Sequence, residues 1–374
     1  MRVAILCVSA GLVLCAALPA DGRGRGFEDV INQVTLDEFH DYLRVLTGVD
    51  PVPGDPPHYL TNRYSFGTDI HIAGQWIHDM FSSFGLDASF HTYDASYGPN
   101  VIGEIVGTTR PEDIYIYCGH YDTYNGSNQD DAPGCDDNAS GTAAAILAAR
   151  ILSQYEFEGT VRFIAFSGEE QWMVGSSAYA AASYYAGENI VAAINLDMFL
   201  HPGWDNQEPD PDYDLDIGGN DASQWIAQNL ADKFATYTPI DFEVWNDDGF
   251  VSDQWGFWQY GYDAVGLIEN SPWEIWGGSN DDYHHATDTM YNPDYDWDFA
   301  IHTIRGSMAS LIDLAGIGMC PADVNGTGMV DIDDLFDVLG AWGTCDECPE
   351  DVNNDGLVDI DDVFDVLGAW GPCP

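Results

Sequence analysis

The sequence predicts an α/β fold, a mostly parallel mixed sheet sandwiched by helices, with a small all-α domain behind it. Two observations carry that expectation. Between about residues 27 and 316, short apolar runs alternate with longer helix-like stretches, the pattern of βαβ units and a largely parallel sheet. From Cys320 onward the composition changes: residues 321–374 hold 12 Asp and 2 Glu with no Lys or Arg, and contain an internal repeat of 28 residues. A chain of 374 residues has room for one large domain and one small one.

Taken in order, Met1-Arg2 and the apolar run Val3 to Leu18 read as a secretory signal peptide over residues 1–20, cleaved near Ala20. The run is too short, and too abruptly ended by Pro19-Ala20-Asp21, to favour a retained anchor, and no other segment reaches membrane-spanning length. Thr35 to Thr47 and Ser65 to Phe84 have the periodicity of amphipathic helices ahead of the sheet. Buried strands are expected at Ile114 to Cys118, Val161 to Phe166 and Val191 to Ile194. Asn138-Ala139-Ser140 caps an Ala-rich helix running from Gly141 to Leu152. The large domain is thus expected over 21–317 and the small one over 318–374.

The formal net charge is -53, from 63 acidic and 10 basic residues, and Lys233 is the only lysine. So acidic a surface excludes nucleic acid and anionic membranes as partners. It fits a secreted protein in salty water, where screening softens self-repulsion. Six cysteines follow the signal segment, an even number suited to an oxidising compartment, with 15 possible pairings. Cys320 with Cys345 and Cys348 with Cys373 share one spacing, so pairing within each repeat is the simplest arrangement. Cys118 and Cys135 are expected either as a disulfide or as two buried thiols.

Chemistry concentrates at the strand ends. His120, Asp137, Glu170, Asp197 and His284 fall in order along the chain, most of them at or just after the end of a predicted buried strand. Open α/β sheets gather ligands at the carboxyl ends of their strands, so these five are expected to converge. Two His and three carboxylates, one able to bridge, suit a pair of zinc ions. Asp122, in His120-x-Asp122, is placed to hold the second imidazole nitrogen. In Ser167-Gly168-Glu169-Glu170, one glutamate can bind metal while the other moves protons. Each motif alone has a plainer explanation: a surface ion pair, a helix cap at Asp136-Asp137, a solvated acidic turn. Their order and combination argue for a single site.

The tail repeats a loop twice. Asp323, Asn325, Thr327, Asp331 and Asp334 recur as Asp351, Asn353, Asp355, Asp359 and Asp362, at loop positions 1, 3, 5, 9 and 12. Met329 and Leu357 at position 7 would lend carbonyl oxygens, and glycine stands at position 6. So many oxygens suit two calcium ions, with the Thr327 loop the weaker for its missing charge. An apolar helix ending Asp-Val-Leu-Gly-Ala-Trp-Gly follows each loop. This EF-hand-like pair with Asp at position 12 resembles a dockerin, which implies a cohesin-like partner. Ile332-Asp333 and Ile360-Asp361 depart from the hydroxyl pair usual at the partner-selecting positions.

Over roughly residues 60 to 315 the ordered motifs His120-x-Asp122, Gly134-Cys135-Asp136-Asp137-Asn138-Ala139-Ser140-Gly141, Ser167 to Glu170, Asn195-Leu196-Asp197-Met198 and Tyr283-His284 resemble the secreted co-catalytic di-zinc aminopeptidases. That family also holds glutamate carboxypeptidase and glutaminyl cyclase. The resemblance implies a zinc-exopeptidase-like fold with Asp137 bridging two zincs. His120 and Asp197 would complete one metal, and Glu170 and His284 the other. It further implies Glu169 as general base, Tyr283 as an oxyanion donor, Asp122 orienting His120 and Asp288 as a structural partner. His285 stands where the family has Thr, and Gln254 follows Ser252-Asp253 where many relatives have His. The implied substrates are peptides with a free N-terminus, and Met198 with the aromatic stretch Trp255 to Tyr262 is expected either to line an apolar pocket for the first residue or to be core. The alternatives are a carboxypeptidase, for which one of the few arginines such as Arg63, Arg110, Arg150, Arg162 or Arg305 would have to supply a cationic clamp, a one-zinc glutaminyl cyclase, or a non-catalytic surface module.

Overall fold

A computed structural model describes residues 23–202, 214–246, 252–269, 280–317, 322–325, 329–345, 348–353 and 355–372. The expected signal peptide, Cys320, Thr327 and Cys373 lie outside these. The chain divides into two compact units, one of Phe27–Gly318 and one that includes Met319–Cys373.

The larger unit is built on an eight-stranded sheet in the order β1-β2-β4-β3-β5-β8-β6-β7. Its strands are β1 (Asp87–His91), β2 (Asn100–Ile105), β3 (Arg110–His120), β4 (Gly159–Phe166), β5 (Asn189–Leu196), β6 (Asp214–Gly219), β7 (Asp241–Asn246) and β8 (Ala264–Ile268). The four central strands β4, β3, β5 and β8 run parallel, while β1, β2 and β6 join antiparallel to their inner neighbours. The sheet is therefore mixed around a parallel core. Parallel strands are covered on both faces, which explains why β3, β4 and β5 read as nearly continuous apolar runs. Ile114, Ile116 and Cys118 of β3 pack with Tyr179 and Phe257 on one face, and Tyr117 bonds Ser307 Oγ at 2.7 Å on the other.

Around it lie α1 (Arg23–Ile31), α2 (Leu36–Leu46), α3 (Asp69–Ser83), α4 (Ser140–Leu152), α5 (Val174–Ala186), α6 (Gln224–Tyr237), α7 (Gln254–Trp258) and α8 (Trp297–Ala315). In α2, Phe39, Tyr42, Leu43 and Leu46 bury one stripe, as the sequence periodicity predicts. α4 is buried all round except at Arg150, and its alanines let it lie close to the sheet. At its start the approach is closer still: a Cβ on Gly141 would come within 2.2 Å of the Leu196 carbonyl oxygen at the end of β5. The aromatic stretch from Trp255 belongs to the core. Phe257 is buried in the cluster beneath β3 and β4, with Trp258, Tyr260 and Tyr262 packed against it.

The smaller unit holds two short helices, α9 (Ile332–Gly340) and α10 (Ile360–Gly368), around a core of Val330, Val338, Val358, Val363 and Val366. It is not wholly helical, contrary to expectation. Four two-residue strands, β9 (Met329–Val330), β10 (Gly343–Thr344), β11 (Leu357–Val358) and β12 (Gly371–Pro372), pair antiparallel as β10 with β11 and β12 with β9. Each repeat's exit strand thus closes on the other repeat's loop, giving otherwise unpaired backbone groups a partner. The cysteine pairing also differs: Cys345 is joined to Cys348, their Cα atoms 5.8 Å apart, so neither pairs with Cys320 or Cys373. The two lie three residues apart, so a tight turn is enough to bring them together, and the Cys348 N–H points at Cys345 Sγ at 3.0 Å.

Gly141→Ala should place backbone against side chain where no rotamer relieves it. We expect destabilisation of about 1–3 kcal/mol, read as a lowered melting temperature of the purified protein.

Candidate active site

The register of the sheet brings the site together. His120, the last residue of β3, lies opposite Phe166, the last of β4, and Leu196 of β5 lies opposite Leu267 of β8. Residues just beyond these ends must emerge along one edge. His120, Asp137 and Asp197 offer ligand atoms within 4.8 Å of one another, and so do Asp137, Glu170 and His284. Asp137 belongs to both groups: its Oδ1 lies 3.4 Å from His120 Nε2 and its Oδ2 3.1 Å from His284 Nε2. Glu170 Oε2 is 3.0 Å from His284 Nε2, and Asp197 Oδ1 is 3.3 Å from His120 Nε2. His284 rather than His285 faces the cluster, with φ of 60°; His285 is exposed and approaches the Tyr283 carbonyl oxygen.

These residues fit a pair of cations. His120 Nε2, Glu170 Oε1 and Asp197 Oδ1 are buried and, among the described residues, make no hydrogen bond. A buried polar atom without a partner is costly unless something else satisfies it. The charges agree. Burial, then the Asp137 charge, raises Glu170 to about 7, and burial drives Glu169 well above the usual carboxylate range. On His120 burial opposes the charged form, but Asp197 and Glu169 outweigh it and hold the pKa well above its ordinary value. On His284 burial is likewise overcome, by hydrogen bonds to Asp137 and Glu170, leaving it at about 11. Protons here neutralise what dications would neutralise, on the nitrogen and oxygen donors that zinc prefers.

A scaffold of ordinary hydrogen bonds fixes the ligands. The Asp122 carboxylate accepts from Ser65 Oγ at 2.6 Å and from the backbone N–H groups of Glu169 and Glu170 at 3.2 and 3.3 Å. It lies 3.5 Å from His120 Nδ1, which sits nearer the Asp122 carbonyl oxygen at 3.1 Å. Asp122 therefore holds the whole Glu169-Glu170 turn as well as the imidazole. Asp288 accepts from the N–H groups of Asp136 and Asp137 at 2.7 and 3.1 Å and from Tyr295 Oη at 2.6 Å. Asn138 Nδ2 donates to Leu196 O, and its Oδ1 receives Gly141 N–H and Ser140 Oγ–H. Ser252 Oγ donates to Asp197 Oδ2 at 2.5 Å. Tyr283 stacks on His284 with ring centroids 3.8 Å apart, beside Met198 and Ile268. Burial, then Asp137 and Glu170, pushes its phenol far above the usual range, so it stays protonated.

Several members were not foreseen as such. Arg63 is fully buried and gives four of its five side-chain N–H donors to carbonyl oxygens, those of Leu46, Tyr121, Pro133 and Gly134, at 2.5–2.7 Å. Glu269 follows β8 as the ligands follow their strands, and the same strand-end pattern would have found it. It receives the N–H of His201, shares Asn280 Nδ2 with Asp136, and is raised to about 8 by burial. Asp136 is thus part of a buried carboxyl pair and not a helix cap. Gln254 is buried too and accepts from Asn195 Nδ2 at 3.1 Å. Cys118 and Cys135 are free and buried, so the disulfide alternative is set aside.

In the tail, Asp331 and Asp359 cap α9 and α10, and Asp334 and Asp362 complete the capping boxes by receiving the caps' own N–H groups. Asp351 receives Asp355 N–H and Gly356 N–H; Asn353 and Asp355 close similar turns. Asp323, Asn325 and Met329 lie in or next to the first loop, and Leu357 at position 7 sits in β11. Among the described residues, no three carboxylates of the tail converge as the two groups of the larger unit do.

The sequence profile of Peptidase family M28 matches residues 100–308. A "Probable zinc metalloprotease" of Pyrenophora tritici-repentis is 37% identical over 204 residues, covering 49% of this chain and 46% of the relative. The chain thus spans about half the length of that curated relative. In fold it is similar to the Legionella pneumophila LapA aminopeptidase (TM-score 0.64, 18% identity, 78% of this chain and 75% of that one). It is also similar to Porphyromonas gingivalis glutaminyl cyclase (TM-score 0.56, 17% identity, 75% and 98%).

Arg63→Met should orphan the buried carbonyl groups of Leu46, Tyr121 and Pro133, leave Gly134 O with the Ala139 N–H alone, and loosen the loop that carries Asp137. Destabilisation of about 3 kcal/mol or more is expected, with loss of bound zinc measured by elemental analysis alongside thermal unfolding.

Proposed function

The chain belongs to peptidase family M28, and from that premise we propose that it is a secreted zinc aminopeptidase. It would remove N-terminal residues, preferentially apolar ones, from peptides. The single observation that carries this reading is the sharing of Asp137 between two complete ligand groups. His120 and Asp197 would hold one zinc, Glu170 and His284 the other, and Asp137 both. When bound, such a pair supplies a water of lowered pKa and an electrophile for the scissile carbonyl.

The protein's own residues do the remainder. Glu169, adjacent to a ligand yet outside both groups, takes a proton from the attacking water and passes it to the leaving amine. Its backbone N–H is pinned by Asp122, so the carboxyl group stays aimed at the reacting atoms. The Tyr283 phenol, stacked on His284, donates to the oxygen on which negative charge develops. The surplus of carboxylates attracts a substrate's free α-amine. Met198 and Ile268, beside Tyr283, offer an apolar wall for the first side chain. Arg63, Arg110, Arg150, Arg162 and Arg305 are all engaged with carbonyl or carboxylate oxygens of the protein, which leaves none of them to clamp a C-terminal carboxylate. That weighs against the carboxypeptidase alternative. Glutaminyl cyclase, reached through the likeness of fold, is the second reading, and a stoichiometry of one zinc would favour it.

For the tail we propose two calcium ions held by the Asp323–Asp334 and Asp351–Asp362 loops, and docking to a cohesin-like protein. Ile332, Phe336, Leu339 and Trp342 are exposed, as are their repeat counterparts Ile360, Phe364, Leu367 and Trp370. Two like apolar rows without cover support a docking role. Among the described residues no helix is long and apolar enough to cross a membrane.

Purified protein should hydrolyse free L-aminoacyl anilides but not their N-acetyl forms, and a zinc chelator should stop it. Failure to cleave with two zincs bound would defeat the reading. Glu169→Gln should lower kcat by about 10²–10⁴-fold while both zincs stay bound, checked by metal analysis. A calcium-selective chelator should unfold the tail alone, leaving anilide hydrolysis intact.

A further inference from the structure

Two residues beyond Glu170 the backbone turns left-handed at two bulky positions, with φ of 70° at Trp172 and 53° at Met173. L side chains crowd the backbone there, so such positions persist only where something outweighs the strain. Met173 is repaid by burial, whereas Trp172 is 81% exposed. An indole held out in water on a strained turn beside the zinc ligands gains nothing from the protein's own core.

Other aromatic rings stand beside the start of this turn at Gly168 and beside His284. The Tyr97 ring comes within 3.1 Å, and Tyr93 Oη within 2.7 Å, of where a Cβ on Gly168 would stand, so glycine there lets the rings press against the segment carrying Glu169. Phe66 packs on Tyr97 with centroids 4.5 Å apart, next to Ser65, whose hydroxyl bonds Asp122; Phe66 is 47% exposed. Tyr124, also exposed, meets the His284 ring edge-on at 5.0 Å. The apolar wall for the first residue, at Met198 and Ile268, stands instead at the ends of β5 and β8. Glu169 protonates the leaving amine, so the part of the substrate after the scissile bond lies on the Glu169 side.

We propose that Trp172, Phe66, Tyr97 and Tyr124 form an aromatic mouth that binds apolar and aromatic side chains of the peptide beyond its N-terminal residue. The inference rests on the aminopeptidase reading and names its substrate class: peptides with an apolar residue at the second or third position, in preference to minimal aminoacyl amides. Rings recognise such side chains by area and by edge-to-face contact, with little entropy to lose.

The test compares leucine anilide, Leu-Gly-Gly-Gly and Leu-Phe-Phe-Gly as substrates of wild type, Trp172→Gly and Phe66→Ala. Glycine relieves the backbone at position 172, so the melting temperature of Trp172→Gly should hold or rise. Its kcat/KM for Leu-Phe-Phe-Gly should fall about tenfold, through KM, with the other two substrates within about twofold. Phe66→Ala should follow the same pattern. Equal loss on all three substrates, or no loss on any, would overturn the proposal. Binding is read separately by anisotropy of a fluorescent Leu-Phe-Phe-Gly-Lys peptide on Glu169→Gln and on Glu169→Gln with Trp172→Gly. Should wild type fail on the anilide, the aminopeptidase reading alone falls, and the titration decides the mouth: about tenfold weaker binding upholds it, and unchanged binding rejects it.

Discussion

Five or more carboxyl groups buried at one edge of a parallel sheet set the terms for the rest of this molecule. Asp137 is at their centre, with an imidazole nitrogen 3.4 Å from one oxygen and another 3.1 Å from the other. Like charges this close, in a low dielectric, cannot all remain ionised without cations or protons to balance them. Most segments that reach the edge answer that constraint in one of two ways. The ligand groups leave atoms free for a metal, and the supporting groups spend their charge on backbone donors.

The supporting answer is the more extensive. Asp122 and Asp288 each take two backbone N–H groups from the turns that carry Glu169, Glu170 and Asp137. A carboxylate holding adjacent N–H groups fixes a turn more firmly than side-chain packing does, because the bonds are charge-assisted and directional. Arg63 supplies the complementary pin, tying four carbonyl groups from three segments with one planar cation. Asp136 and Glu269 add a buried pair bridged by Asn280. Glu169 and the two groups around Asp137 are therefore placed by a frame of hydrogen bonds drawn from several distant segments.

The tail solves a smaller problem with the same chemistry. Its acidic side chains cap helices and close turns, and its valine core is too small to cover both helices. Apolar rows on α9 and α10 are left in solvent, and the antiparallel ladders between the repeats supply the rigidity that so few core residues cannot.

Much of this was legible locally. Strand ends, the Ala-rich helix and the ordered ligands are written in periods of two and 3.6 and in short motifs, so His120, Asp137, Glu170, Asp197 and His284 could be named from the sequence. Which of the adjacent glutamates joins the ligand atoms is not written in the motif itself; the resemblance implied Glu170, and the fold brings Glu170 but not Glu169 into a group with Asp137 and His284. What the chain's order does not contain is which distant turns meet. Asp288 bonds Asp136 across 152 positions, and Asn280 reaches it across 144. Arg63 looked like a candidate clamp and proved to be a buried pin, because only the folded sheet brings Pro133 and Gly134 to its guanidinium. The link between Cys345 and Cys348 is local, three residues apart, and the equal spacing of the two repeats hides it by pointing to pairing within each. Sequence determined which groups line the edge; tertiary structure decided which of them spend their charge on backbone and which stay free to act, since that depends on contacts between segments far apart in the chain.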